Sequence, residues 1–171
     1  NFSSISSKNG LSEEIRRRLL DYFYSTLGEM IEGQSKDIAS KNNDMTVDKI
    51  LEMYEQKSGA LYGFSAVAGG LVGKASDAEL DFLSKYGRRM GTAYQILDDI
   101  LDIEGTTEEL GKPAKSDIGN KKSTYPSILG VEKSKKLAKE QIDAAYSALA
   151  EFDAKADPLR EIARYIINRK S

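Results

Sequence analysis

Residues 76–102 read SDAELDFLSKYGRRMGTAYQILDDILD, and the element they encode fixes the fold class. Ser76 with Glu79 three residues later is a capping box, in which hydroxyl and carboxylate each satisfy a backbone N–H left unpaired at a helix start. From there Leu80, Leu83, Met90, Leu97 and Leu101 recur at helical spacing and trace a buried face. Gln95, Asp98 and Asp102 fall beside that face, with Asp99 offset to one side. The expected helix thus finishes in Asp98-Asp99-Ile100-Leu101-Asp102. Like charges at i and i+4 cost a helix about 0.2–0.5 kcal/mol, an amount that a bound divalent ion reverses. Unpaired carbonyls at the helix end attract a cation as well. Oxygen-only ligands suit Mg²⁺ or Ca²⁺, and Mg²⁺ is usually completed by water and substrate phosphate. On the pentapeptide alone, a solvated acidic face remains the competing reading.

Upstream, Ser12 is expected to cap a first helix carrying Glu13 and Glu14 in its first turn and Leu19, Leu20, Phe23, Leu27 and Ile31 along it. Its end approaches Gly33-Gln34-Ser35-Lys36-Asp37, and 40–44 reads as a loop. Thr46 can cap a second helix with the apolar stripe Val47, Ile50, Leu51, Tyr54 and Leu61. Downstream, 105–123 is a long polar connection carrying Lys112, Lys115, Lys121 and Lys122, and connections of that length are commonly functional. Thr124 and Pro126 open a short helix, 132–152 forms another, and Asp157-Pro158 reads as a cap followed by Pro at the first position of a last helix. No run of alternating β-branched residues appears, so the expectation is an all-α protein.

The 171 residues suit a single domain, 1–171. A net charge of −2, with acids spread along the chain, argues against a nucleic-acid partner. Neither cysteine nor histidine occurs, which removes thiolate and imidazole chemistry and the usual zinc sites. Catalysis here has to use carboxylates, lysines, hydroxyls, amides and a hard metal. The most apolar stretch, Ala60–Val72, is too short to span a bilayer and is broken by Gly63, Gly69 and Gly70. No secretory pattern opens the chain, so a cytoplasmic location is expected, although a start at Asn1 leaves room for a processed or truncated terminus. A carboxylate-bearing helix end followed by a lysine-rich loop suggests a polyanion such as a diphosphate, gripped by metal on one side and ammonium groups on the other.

Gly33-Gln34-x-x-Asp37, Lys57-Ser58-Gly59-Ala60-Leu61, Tyr94-Gln95-x-x-Asp98-Asp99-x-x-Asp102, Gly111-Lys112-Pro113, Asp117 and Lys122-x-Thr124-Tyr125-Pro126 occur in one order and spacing. In these blocks the chain resembles the C-terminal part of the trans-isoprenyl diphosphate synthase (polyprenyl synthetase) family, and Asp98 to Asp102 looks like its second aspartate-rich motif. The resemblance implies an antiparallel helical bundle of the isoprenoid (terpenoid) synthase type, with the family's N-terminal helices missing from this chain. It implies a Mg²⁺-dependent prenyltransferase that joins an allylic diphosphate to isopentenyl diphosphate, giving a longer trans-polyprenyl diphosphate. Asp98, Asp99 and Asp102 would be the metal ligands, with Asp98 the most direct. Lys57, Lys112 and Lys122 would bind diphosphate. Ser58 and Gln95 would lie near the developing allylic cation, with Lys57 and Lys122 also at the reacting centre, and Asp117 would order the loop lysines or a metal-bound water.

Asp98-Asp99 is the only Asp-Asp pair, so the family's first aspartate-rich motif has no counterpart here. Alone, the chain is expected to carry half an active site, with the other half supplied by the same or another chain, and a homodimer is the family's habit. Two other readings are a noncatalytic or split subunit and a terpene cyclase. The Lys57-Ser58-Gly59 and Gly111-Lys112-Pro113 blocks are synthase-like rather than cyclase-like.

Overall fold

A computed structural model describes residues 10–41, 45–105 and 122–168. Helix α1 (Glu13–Ala39) starts where the sequence predicts: Ser12 is extended and its hydroxyl accepts the Ile15 N–H at 3.3 Å. It runs straight through Gly33, two turns beyond Leu27, instead of stopping near it. The reason lies in packing. A Cβ at position 33 would collide with the backbone of Lys57, so the missing side chain is what lets the next segment lie against α1.

That segment departs from the predicted single stripe between Val47 and Leu61. Thr46 caps α2 (Val47–Tyr54), its hydroxyl accepting the Lys49 N–H at 3.4 Å. The chain then widens into a π turn, Glu55–Gly59, in which the Ala60 N–H reaches the Glu55 carbonyl, before α3 (Ala60–Val72) resumes the ordinary winding. Such a turn accommodates an extra residue within a helix, frequently at functional sites. Here it is clamped from both sides, because a Cβ on Gly91 would come within 2.7 Å of the Gly59 Cα and 2.8 Å of the Ser58 carbonyl.

Helix α4 (Asp77–Glu104) bears out the capping box, with the Ser76 N–H donating to Glu79 at 2.7 Å and the Glu79 N–H donating to Ser76 at 3.3 Å. Thr124 and Ser127 form a second box at the start of α5 (Tyr125–Leu129), and Gly130, at φ 81°, swings the chain into α6 (Val131–Ala148). The last boundary is shifted. Asp153, not Asp157, makes the cap, accepting the Lys155 N–H at 2.9 Å ahead of a 3-10 turn (Ala154–Ala156), and Asp157 already lies inside α7 (Asp157–Asn168). Arg160 accounts for this: its guanidinium donates to the carbonyls of Leu149 and Phe152 at 2.8 Å and of Asp153 at 3.1 Å, closing the turn on itself.

Helix α4 is the axis, packed on α3 along one side and α6 along the other. Its first half joins Leu80, Leu83 and Met90 to Val67, Leu71, Ile142, Ala145 and Ile166. Its second half joins Ile96 and Ile100 to Ile50, Met53, Tyr54, Tyr125 and Ala138. The pairing of Ala138 with the late residues of α4 and Ala145 with the early ones makes α4 and α6 antiparallel. Each fully buried aliphatic side chain contributes about 1.5–3 kcal/mol. No strand occurs among the described residues, and none of their helices is long and apolar enough to cross a membrane.

Candidate active site

Both halves of the core close around the π turn, which projects Lys57 and Ser58 toward α1 and α4. Lys57 Nζ pairs with Asp37 Oδ2 at 2.9 Å, and Lys122 Nζ stands 3.5 Å from the other oxygen, Asp37 Oδ1. One carboxylate, only 11% exposed, thus holds two ammonium groups that are 24% and 22% exposed. The predicted diphosphate lysines Lys57 and Lys122, 65 positions apart in the chain, meet at one point. Lys112 and Asp117 lie outside the described residues.

Beside this cluster runs a hydrogen-bonded line across the turn. Ser58 Oγ donates to Gln95 Oε1 at 2.9 Å, Gln95 Nε2 donates to Asp99 Oδ1 at 3.1 Å, and the Tyr54 hydroxyl donates to Asp99 Oδ2. The i to i+4 spacing of Gln95 and Asp99 on α4 makes the middle bond, and the π turn brings Ser58 alongside. Tyr54 is buried and lies edge-to-face on the buried Tyr125, ring centres 5.5 Å apart, which fixes where its hydroxyl points. Burial, followed by the charges of Asp48 and Glu55, pushes the Tyr125 phenol up to about 12.

The three aspartates at the end of α4 are not equivalent. Asp102 is fully buried, Asp99 is 5% exposed and committed to Tyr54 and Gln95, and Asp98 is half-buried. Among the described residues no three carboxylates stand close enough to hold a metal by themselves. The donor set fits a hard cation that takes one or two carboxylates and completes its shell with phosphate and water, the usual habit of Mg²⁺.

A groove of about 460 Å³ begins at Lys57 and Ser58 and continues along α1 past Gln34 to Ile31, Met30 and Leu27. One end is cationic and hydroxylic, the other aliphatic, a lining suited to an amphiphile with an anionic head. The small residues Ala60 and Gly63 do not widen it: Ala60 is fully buried and Gly63 faces the Arg88 side chain, so here small residues serve close helix packing.

Two participants escape the sequence reading. Asp37 sits in the quoted Gly33-Gln34-x-x-Asp37 block without a role, although a lone acid two residues before the end of an amphipathic helix was a usable signal. Tyr54 reads only as a member of an apolar stripe, and nothing in the spacing of residues marks its hydroxyl as polar contact for Asp99.

The polyprenyl synthetase family model matches residues 3–165. A farnesyl diphosphate synthase of Micrococcus luteus is 34% identical over 161 residues, covering 93% of this chain and 55% of the relative. A geranylgeranyl diphosphate synthase of Cyanophora paradoxa is 34% identical over 172 residues, covering 99% and 57%. The geranylgeranyl pyrophosphate synthetase structure from Geoglobus acetivorans superposes with a TM-score of 0.87 at 26% identity, over 98% of this chain and 62% of that one. The chain therefore spans a little over half the length of the curated relatives it matches. Its helical bundle is of the isoprenoid synthase type. The residues that meet around the π turn are those of the family's ordered blocks, and the chain belongs to the polyprenyl synthetase family.

Proposed function

We propose that the chain is part of a Mg²⁺-dependent prenyltransferase that condenses an allylic diphosphate with isopentenyl diphosphate to a longer trans-polyprenyl diphosphate. The observation that carries the reading is the convergence of Lys57 and Lys122 on Asp37 at the polar end of a groove whose other end is aliphatic. Lysine suits a departing diphosphate because its ammonium is a point charge on a flexible stem and can follow the leaving group. Asp37 holds the two ammonium groups together against their mutual repulsion, so that a diphosphate meets them already in place. Lys112 joins them from the loop, and Asp117 orders that loop.

Asp98, the most accessible of the three acids, is the direct metal ligand, with Asp99 and Asp102 set behind it on α4. A divalent cation bound there would neutralise negative charge on the diphosphate. Ser58 and Gln95 turn oxygen atoms toward the allylic carbons, whose positive charge grows as the C–O bond breaks. The double bond of isopentenyl diphosphate attacks that cation, and the proton lost afterwards passes to the released diphosphate, so that no histidine is needed. Homodimerisation is part of the proposal, supported by Tyr24, Ile31 and Ile38, exposed at seven-residue intervals on α1. Cytoplasmic residence is too, because multiply charged diphosphates do not cross a bilayer unaided.

The test is the polypeptide that carries this sequence, given labelled isopentenyl diphosphate, an allylic diphosphate and Mg²⁺. A labelled diphosphate at least five carbons longer than the allylic substrate is expected. Release of hydrocarbon instead would make it a cyclase. Absence of both products, together with no metal-dependent heat on titrating a bisphosphonate, would make it a noncatalytic subunit.

A further inference from the structure

We infer that Tyr54 is a positioning residue that sets the hydrogen-bond polarity of the line Tyr54–Asp99–Gln95–Ser58, and through it the direction in which the Ser58 oxygen faces. This rests on the prenyl-transfer reading for its catalytic consequence, but the polarity follows from the bonds themselves.

An ionised carboxylate accepts and cannot donate. The Tyr54 hydroxyl donates to one oxygen of Asp99, which turns the other toward Gln95. Facing an acceptor, the Gln95 side chain must present Nε2 to Asp99, and its amide is then oriented with Oε1 toward Ser58. Facing an acceptor in turn, Ser58 must spend its single proton on Gln95 at 2.9 Å. Both Ser58 lone pairs are thereby left for the groove that Ser58 and Lys57 line. A serine without that constraint would rotate, and for part of the time would point its proton into the groove, where it repels a growing carbocation. Tyr54 is well suited to be the origin of the line. It is the last residue of α2, buried to 2% exposure, with its ring held edge-on by Tyr125 and its hydroxyl the one polar atom it brings into a cluster of Ile50, Met53, Ile96 and Ile100. Tyr54 itself touches neither the groove lining nor the lysines.

Tyr54→Phe keeps the ring and its contact with Tyr125 and removes only the donor. Without substrate, the readout is the side-chain amide of Gln95 in protein labelled with ¹⁵N-glutamine, one of four such signals, assigned by its loss in Gln95→Glu. Tyr54→Phe should move that signal and speed its proton exchange, leaving Gln34, Gln56 and Gln141 where they are. Asp99→Asn, whose amide can donate as well as accept, should move it too, and serves if Tyr54→Phe does not fold. In the prenyl-transfer assay Tyr54→Phe should lower kcat about tenfold, the loss of one hydrogen bond to a charged group, with KM for the allylic diphosphate within about twofold. Placed on Ser58→Ala, the same change should cost less than about twofold, because the end of the line is already gone. A Gln95 amide unmoved by either variant overturns the inference, as does a full kcat penalty in the Ser58→Ala background. If the parent shows no prenyl transfer at all, the catalytic reading fails and the amide signal still decides the polarity.

Discussion

Two half-buried ion clusters tie α1 to the rest of the bundle, and they are built differently. Arg88 on α4 meets Glu29 on α1 through two parallel bonds of 2.7 and 2.9 Å, a planar fork matched to one carboxylate. Asp37, two turns further along α1, is instead shared between two lysines, at 2.9 and 3.5 Å. The first geometry saturates both partners and locks a helix crossing. The second uses point charges on flexible stems, one held closely and one at arm's length, and such groups exchange partners readily when a stronger anion arrives. Neighbouring acids on one helix thus serve different ends, one fastening the scaffold and the other holding ligand groups ready.

Substitutions should separate these roles. The largest effect belongs to the ligand end: Asp98→Ala should lower turnover by about 100-fold or more, given the several kcal/mol a metal contributes to a departing diphosphate, and turnover within severalfold of the parent would refute its place as ligand. Asp37→Asn should come next, lowering kcat/KM for the allylic diphosphate about tenfold, since a neutral amide no longer gathers the two ammonium groups. Glu29→Gln should do the reverse. It should cost about 1–2 kcal/mol in urea unfolding, reduced from the fully buried case because the two side chains keep 32% and 29% exposure, and leave kcat unchanged. If Glu29→Gln damages kcat as much as Asp37→Asn does, the distinction between the clusters is wrong. Arg17→Gln, on the exposed bridges to Glu14 and Asp21, should leave the unfolding midpoint where it was.

Alkaline titration tests the core that supports both clusters. Burial, then Tyr146, pushes the Tyr86 phenol up to about 12, as burial does for Tyr125. The folded state holds these protons more tightly than the unfolded chain, whose phenols ionise near 10. The stabilisation is therefore whole below pH 10 and is lost as pH climbs from 10 toward 12. Tyrosinate absorbance that rises fully near pH 10 while helicity persists would contradict it.

Helix starts were legible because capping is local: Ser12, Thr46, Ser76 and Thr124 each bond a backbone N–H three residues on. The ordered lysine and aspartate blocks were legible because catalytic groups must fall at fixed spacing. What escaped depends on distant neighbours. The π turn follows from glycines at 33 and 91 that no local pattern connects to residues 55–59. The end of α6 depends on Arg160 reaching back across eleven residues to Leu149. Tyr54 escaped because a phenol in an apolar stripe looks the same whether or not a carboxylate waits beyond it.

The widened winding at Glu55–Gly59 also makes the chain unusually intolerant of length changes there. Removing one residue, Gln56 for instance, would let ordinary helix close the gap and rotate everything after it by about 100°. Ala60, Phe64, Val67 and Leu71, now facing inward, would be turned toward solvent along the whole of α3. Natural variation in this family should thus include many exchanges of side chain within the turn and almost no single-residue deletions.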